Sequence, residues 1–177
     1  MNFTNQKPDT ALKAAFLQLI KYGCAESEFD PPFENGDADE EWSFVDEDDD
    51  TPFPDPAWQV RQEGDSVMVA ENCAAVVSIP IVIRLYAPHG ATKEWLRACV
   101  DVMYGLLTEA YHEREVPRPA DRTPLAYRLT SAAQEMDDPQ PLWVHSTSIP
   151  EYRPFATLGE SIIAEFQIEV VCGMYEE

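Results

Sequence analysis

The sequence predicts an α+β fold: a mixed or mainly antiparallel sheet, a central helix packed on one face, and an N-terminal helix. Three stretches carry this prediction: the long β pattern of residues 74–87, the helical pattern of residues 93–111 and the alternating pattern of residues 160–173. With 177 residues, 45% of them hydrophobic, the chain is long enough to bury one core. We therefore expect a single domain, with residues 57–177 as its α+β core.

The first element is an amphipathic helix within residues 1–23, which belongs to the same domain. Over residues 8–22 one face is apolar at helical spacing, and Asp9 or Thr10 can cap the start. The apolar positions are Leu12, Phe16, Leu19 and Ile20.

Residues 24–56 form an acidic, proline-rich segment that contains no Lys or Arg. Such charge runs are usually solvated, so the segment is predicted to be a loop outside the core. The segment does not match a calcium loop of the EF-hand type. A loop that started at Asp37 would need Gly at its sixth position and Glu at its twelfth, but these positions are Trp42 and Asp48. The carboxylates that are candidates for a channel-lining or partner-facing role are Asp37, Asp39, Glu40, Glu41, Asp46, Glu47, Asp48, Asp49 and Asp50.

The core is predicted to begin with strands. Residues 58–63 and 66–70 read as a β hairpin that turns at Gly64 and Asp65. The long strand of residues 74–87 follows, with Pro80 predicted at an edge or a bulge because proline cannot donate to a ladder. One face of this strand carries Val77, Ile79, Ile81, Ile83 and Leu85, and the other carries Ser78, Pro80, Val82, Arg84 and Tyr86.

The central helix is predicted to start after the cap Thr92 and to run to about residue 111. Its apolar stripe consists of Trp95, Cys99, Met103, Leu106 and Ala110, with Leu96, Val100 and Leu107 beside it. A further helix is predicted from Pro124 onward, with an apolar face formed by Leu125, Leu129, Ala132 and Met136.

The last third of the core is predicted to be a short strand, a loop and a long strand. Residues 142–147 have the strand pattern, residues 152–159 are interpreted as a connecting loop, and the alternation from residue 161 onward predicts an antiparallel strand that closes the sheet. Its apolar face carries Ile162, Ala164, Phe166, Ile168, Val170 and Cys172, and its other face carries Ile163, Glu165, Gln167, Glu169 and Val171.

The sequence contains no motif that predicts catalysis. Nucleotide-binding, metalloprotease and serine-hydrolase patterns are absent, and His89, His112 and His145 lie in three separate elements. The four cysteines are scattered singly, so Cys99 and Cys172 are interpreted as small core residues, and Cys24 and Cys73 receive no role. We expect no enzyme activity, no cofactor and no metal.

The formal net charge of −21 disfavours binding to a phosphate backbone, which depends on Lys and Arg. The sequence also lacks an apolar run long enough to span a bilayer and a signal-peptide layout at residues 1–10. A soluble protein made in the cytoplasm, without a membrane partner, is the expectation.

In the order of its elements the chain resembles the tail terminator and tail completion proteins of long-tailed bacteriophages. The resemblance covers residues 58–177 in outline, together with the first helix. Its most telling parts are the strand IPIVIRLYAPHG that leads directly into the helix ATKEWLRACVDVMYGLL, and the alternating strand EFQIEV near residue 170. The acidic segment of residues 24–56 is longer than compact members of the family need.

The resemblance implies an α+β structural subunit of the virion that forms a hexameric ring on the tail tube. Such a ring stops polymerisation of the tube protein and joins the tail to the head or neck connector, while DNA passes through without specific binding. The subunit would lie in the host cytoplasm before assembly. The residues expected at the subunit contacts, from the polar strand faces and the loop after residue 141, are Arg84, Tyr86, His145, Glu165, Gln167 and Glu169.

A second hypothesis belongs to a different class of function. The charge, and the interleaving of Phe29, Phe33, Trp42 and Phe44 with carboxylates, are also typical of an acidic inhibitor that imitates DNA and occupies a host nuclease or defence complex. A mimic needs carboxylates at fixed, phosphate-like spacing, whereas the densest run here lies among prolines. The ring is therefore the favoured hypothesis.

Overall fold

The computed structural model describes residues 8–26, 43–45, 57–71, 74–87, 91–108, 124–139, 142–158 and 161–173. These residues form three helices and a mixed sheet of seven strands, which is the α+β fold that the sequence predicts. In chain order the elements are α1 (Pro8–Glu26), β1 (Ser43–Val45), β2 (Ala57–Gln62), β3 (Val67–Glu71), β4 (Ala74–Ala87), α2 (Lys93–Leu107), α3 (Leu125–Gln134), β5 (Trp143–Thr147), β6 (Glu151–Leu158) and β7 (Ser161–Gly173).

The two longest strands, β4 and β7, are antiparallel neighbours at the centre of the sheet. Their register runs without a shift from the pair Val76–Gly173 to the pair Ala87–Ile162. β2 and β3 follow each other along the outer side of β4, and both pair with it in antiparallel orientation. β5 and β6 follow each other along the outer side of β7 in the same way. The sheet is therefore a continuous central pair flanked on each side by a strand in two parts, with β1 parallel to β2 at one margin.

The prediction of a hairpin between residues 58–63 and 66–70 is wrong. β2 pairs with residues 81–86 of β4 and β3 pairs with residues 74–78, so the two segments follow each other along the same side of β4. Gly64, with a positive φ of 100°, lies in the break between them. At this break the chain stops pairing with β4 and then resumes the pairing in the same direction. The conformational freedom of glycine permits this irregular backbone.

Pro80 lies in β4 opposite this break. The carbonyl of Pro80 accepts a hydrogen bond from the Glu63 amide at 3.1 Å, so the nitrogen of Pro80 also points towards the side where β2 and β3 are interrupted. A strand with neighbours on both sides therefore tolerates a residue without an N–H. The missing donor falls where the neighbouring strand is absent, rather than at an edge of the sheet.

A second break, residues 148–150, separates β5 from β6. The Ser148 amide donates to the Glu169 carbonyl at 2.8 Å, and the Ser148 hydroxyl accepts from the Glu169 amide at 2.9 Å. The prediction of a loop over residues 152–159 is wrong, because residues 151–158 pair with β7 across a register shift between Arg153 and Ala156. This flanking strand also makes β7 an interior strand, so the prediction that it closes the sheet is corrected too.

All three helices contribute to one core on one face of the sheet. That core contains the predicted apolar faces of β4 and β7, with Phe16, Trp58, Met103 and Phe166 among its largest fully buried side chains. The four predicted apolar positions of α1, and the stripe of α2 from Trp95 to Leu106, are buried as expected. Ala110 lies outside the described residues.

The ends of the helices are held by side-chain contacts. The hydroxyl of Thr92 accepts the Trp95 amide at 3.2 Å, which confirms the predicted cap of α2. At the other end, where α2 stops at Leu107, the buried guanidinium of Arg128 donates to the carbonyls of Leu106 at 2.6 Å and Thr108 at 2.9 Å. A cation at a helix C-terminus satisfies carbonyls that lack partners within the helix.

One short strand lies within the segment that the sequence predicts to be a loop. Residues 43–45 pair in parallel with residues 57–59 of β2, and Phe44 packs against the core. The Lys21 ammonium lies 5.4 Å from the centre of the Phe44 ring, which favours the approach of α1 and β1. The alternation signal in this segment was too short to predict a strand.

Candidate functional site

The face of the sheet opposite the helix core carries a network of polar side chains, which we call the polar face. It consists of Gln59, Ser78, Arg84, Tyr86, Arg153, Glu165, Gln167 and Glu169. Five of the predicted contact residues belong to this network: Arg84, Tyr86, Glu165, Gln167 and Glu169. The sequence thus predicted correctly which residues share this face, through the period-two alternation of β4 and β7.

The centre of the network is an ion pair between the two central strands. Arg84 and Glu165 are directly opposite in the register, with Arg84 Nε 2.7 Å and Arg84 Nη2 2.5 Å from Glu165 Oε1. Their side chains are only 11% and 15% exposed. Desolvation lowers the pKa of Arg84, but the hydrogen bonds and charges of Tyr86 and Glu165 outweigh it, so the pKa lies above its usual value. The guanidinium stays charged, and the pair ties β4 to β7 on this face.

The network continues from Arg84 towards β2. Arg84 Nη1 donates to the Tyr86 hydroxyl at 3.1 Å, and that hydroxyl donates to Gln59 Oε1 at 3.0 Å. Gln59 is fully buried. Its burial is compatible with a polar side chain because the Tyr86 hydroxyl satisfies the amide oxygen. Gln59 was missed by the sequence reasoning, because a glutamine in a short strand carries no signal of its partner.

Towards β6 the network reaches Arg153. Its Nη2 donates to Gln167 Oε1 at 2.5 Å, and its Nη1 lies 3.8 Å from Glu165 Oε2. The carboxylate of Glu165 therefore lies between two guanidinium groups. Arg153 was also missed, since its segment was interpreted as a loop.

Two of the predicted contact residues, Glu169 and His145, lie towards the break at residues 148–150. Glu169 is exposed, and its carboxylate accepts a hydrogen bond from the Ser78 hydroxyl. His145 is exposed at the register shift of β5 and packs edge-on against Trp143, with ring centroids 5.7 Å apart. Trp143 is 44% exposed and Ile149 is 83% exposed. His145 lies against Trp143 and lines the same surface pocket as Ile149, and we call these three residues, which form a partly apolar surface, the β5 patch.

The nine carboxylates of the acidic segment, from Asp37 to Asp50, lie outside the described residues. His89 and His112 lie outside them as well. The structure therefore brings together the contact candidates of the polar face and leaves the role of the acidic segment a prediction.

The reactive groups within the described residues are few. Cys99 and Cys172 are buried, and burial raises the pKa of the Cys172 thiol to about 12, so this thiol is protonated at neutral pH. In the part of the chain that the structure describes, His, Cys, Asp and Glu side chains form no group of three or more that could hold a metal ion. Within the same residues, no helix is both long and apolar enough to cross a membrane.

Comparison with known proteins gives no assignment for this chain. No family model matches the sequence, and no curated protein matches it either.

Proposed function

We propose that the chain is a structural subunit of a phage tail, a tail terminator that closes into a ring on the end of the tail tube. The ring, of six copies, stops polymerisation of the tube protein and joins the tail to the head or neck connector. This function places the protein in the virion. The support for it is the resemblance in element order, together with an α+β subunit of the kind that the resemblance implies.

One observation of the structure carries the proposal furthest. The central strands β4 and β7 are paired without a shift from Val76–Gly173 to Ala87–Ile162, and the Arg84–Glu165 pair joins them again through side chains. Among the described residues, the helices pack on one face of a sheet whose central strands are joined through both backbone and side chains. A ring needs such a subunit, because a heterologous contact closes only when two different surfaces of each copy keep a constant angle.

The β5 patch is the surface that we assign to one half of this contact. Trp143 and Ile149 are large, apolar and exposed. Exposed apolar patches mark interaction sites, and aromatic residues are enriched at subunit interfaces. It also contains His145, which the sequence predicted at the contact. Glu169 lies beside the break that carries Ile149.

The acidic segment has a role in this proposal that does not involve binding. Carboxylates from Asp37 to Asp50 that faced the path of DNA would repel the duplex and prevent it from adhering during passage. The alternative, a DNA mimic, receives less support from the described residues. On the polar face the Glu165 carboxylate is neutralised by Arg84 and Arg153, so it does not imitate a free phosphate.

The experiment combines electron microscopy of tails with native mass spectrometry. We expect six copies at the end of each tail, and overlong tubes when the chain is missing. The substitution Ile149→Glu should abolish the ring, because it places a charge in the apolar contact. The matched control is Tyr127→Glu on α3, where another large side chain is 64% exposed outside the patch, and this variant should still form rings.

Both variants should keep the melting temperature of the parent, since both positions are exposed. A chain that stays monomeric at high concentration and is also a single copy on tails would overturn the proposal. Monomers in free solution alone would not, because the tube can be the template for closure.

A further inference from the structure

The strand β3 has an outer edge that the described residues leave without a neighbour. β3 pairs with β4 on one side, and no described strand lies on the other. An edge strand of this kind presents backbone N–H and C=O groups that another chain can bind.

The other outer segments of the described sheet are short, partly covered or interrupted, and the outermost of them, β1, has only three residues. β1 covers the first half of β2. On β5, the outward amide of Val144 donates to the Thr130 hydroxyl of α3 at 3.1 Å. β6 contains Pro154 at its register shift, and proline removes a donor from the edge. Among the described strands, β3 is thus the segment best suited to strand addition.

The direction of the backbone groups on β3 follows from the hydrogen bond at the break. The Pro80 carbonyl points towards β2 and β3, so the residues of β4 with the same parity, including Ser78, point the same way. Val67 is the partner of Ser78 and therefore points inward. The N–H and C=O groups of Met68, the next residue, point away from the sheet, towards the free edge.

The side chains at the start of β3 are apolar and exposed. Val67 is 58% exposed and Met68 is 65% exposed, and they project to opposite faces of the sheet. Exposed apolar residues on an unpaired strand edge are usually avoided in soluble proteins unless a partner covers them.

The charges around this edge indicate which charge the partner should carry. Glu63 and Asp65 are exposed directly before β3, and Glu71 ends the strand, while residues 62–73 contain no Lys or Arg. A second copy would bring the carboxylates of Glu63 and Asp65 against the same two carboxylates at this edge, which disfavours self-pairing there. A basic strand would be attracted.

We propose that the outer edge of β3 is a strand-addition site for an extended, lysine- or arginine-rich segment of a partner protein. The backbone of Met68 supplies the hydrogen bonds, Val67 and Met68 supply apolar contacts on the two faces, and Glu63 and Asp65 pair with the basic side chains. Main-chain hydrogen bonds give the affinity in this mode of recognition, and side chains give the specificity. The site is independent of the ring contact at the β5 patch.

The test uses the full chain and two short peptides blocked at both ends. The probe alternates lysine with valine, and the matched control alternates lysine with proline, so that it has the same charge but cannot pair as a strand. The protein variants are Met68→Pro, which removes the outward N–H while leaving the inward bonds to β4, and Met68→Ala, which keeps it. Binding is measured by fluorescence anisotropy at about 0.1 M salt, where the Debye length is about 10 Å.

We expect the lysine–valine peptide to bind the parent and Met68→Ala with similar Kd values, and Met68→Pro at least about tenfold more weakly, because only the last lacks the donor. Binding should also slow the hydrogen exchange of the backbone amide at position 68 in the parent and in Met68→Ala, a readout that holds even if the proline variant is poorly folded. The lysine–proline peptide should bind all three proteins weakly and equally.

Equal affinity of the two peptides, or an unprotected Met68 amide in the complex, would overturn the inference. So would a dimer of the parent that disappears in Met68→Pro, because the edge would then be occupied by a second copy. None of these outcomes depends on whether a ring forms on the tail.

Discussion

Arg84 and Glu165 face each other across the centre of the sheet, and their charges are largely removed from water. The two side chains are 11% and 15% exposed, and the Arg84 Nε to Glu165 Oε1 distance is 2.7 Å. At such low exposure the interaction with its partner replaces the lost hydration of each charge. Removal of one partner would leave the other charge poorly solvated and unpaired.

The substitution Arg84→Met should therefore lower the free energy of unfolding by about 1.5–3 kcal/mol, the range for hydrogen bonds to charged groups. The double variant with Glu165→Met should recover part of this loss, because no unpaired charge then remains. Urea denaturation of the parent, both single variants and the double variant gives the interaction free energy between Arg84 and Glu165. Strictly additive losses would contradict the interaction.

Gly173 on β7 lies beneath the indole of Trp143 on β5, its partner in the register. A Cβ at Gly173 would overlap the Cε3 and Cζ3 atoms of that ring, so Gly173→Ala must displace the indole. We expect a loss of about 1 kcal/mol, at the low end for overpacking because Trp143 is partly exposed and can move outward. In a Trp143→Ala background the same change should cost nothing or stabilise the strand, since alanine restricts the unfolded chain more than glycine does. Thermal denaturation of the four proteins decides, and an equal loss in both backgrounds would contradict the contact.

The Cys172 thiol should make the protein less stable at high pH. Burial raises its pKa from the ordinary 9.0 to about 12, so the folded state holds the proton over a range in which the unfolded state releases it. The stabilising contribution is complete below pH 9 and is lost as the pH rises towards 12. Other groups titrate in the same range, so the comparison is with Cys172→Ala, whose stability should fall less steeply between pH 9 and 11. Parallel curves for the two proteins would contradict the shift.

The charge of the acidic segment should matter for tail function and not for the fold of the core. Changing Asp46, Glu47, Asp48, Asp49 and Asp50 to Asn or Gln should leave the circular dichroism spectrum close to that of the parent. The stability should stay unchanged or rise slightly at low salt, because like charges repel, and the difference should fade as salt screens them over about 10 Å at 0.1 M.

The same variant should impair tail completion or genome delivery, measured as infectivity. A matched control neutralises Glu135 and Asp137, exposed carboxylates that follow α3, and should remain infectious. Full infectivity of the first variant would remove the proposed role of the segment. Tight binding of the parent to a host nuclease that neutralisation abolishes would favour the DNA mimic.

The elements that were predictable from the sequence are those whose pattern is long. β4, β7 and α2 each repeat their period several times, so the buried face of each follows from the spacing of the apolar residues. The polar face follows from the same alternation. For that reason Arg84, Tyr86, Glu165 and Gln167 could be placed together without knowing their partners.

The pairing of short strands could not be predicted in the same way. Gly64 and Asp65 show that the chain leaves the strand line, but nothing local shows whether it reverses or resumes its direction; it resumes, because β4 is long enough to pair with both parts. Residues 152–159 were interpreted as a loop, but an outer strand does not need every N–H, so this segment forms a strand although it contains Pro154. The buried position of Arg128 depends on the carbonyls of Leu106 and Thr108, which are distant in the chain.

The two breaks, at residues 63–66 and 148–150, give the outer strands a tolerance that the central pair lacks. An extra residue inside β4 or β7 would move every following side chain to the opposite face. An extra residue at either break would be absorbed where the chain already leaves the strand line, and the pairing on both sides would keep its register. Changes of length during divergence of this protein should therefore accumulate at these two points, while the lengths of β4 and β7 stay constant.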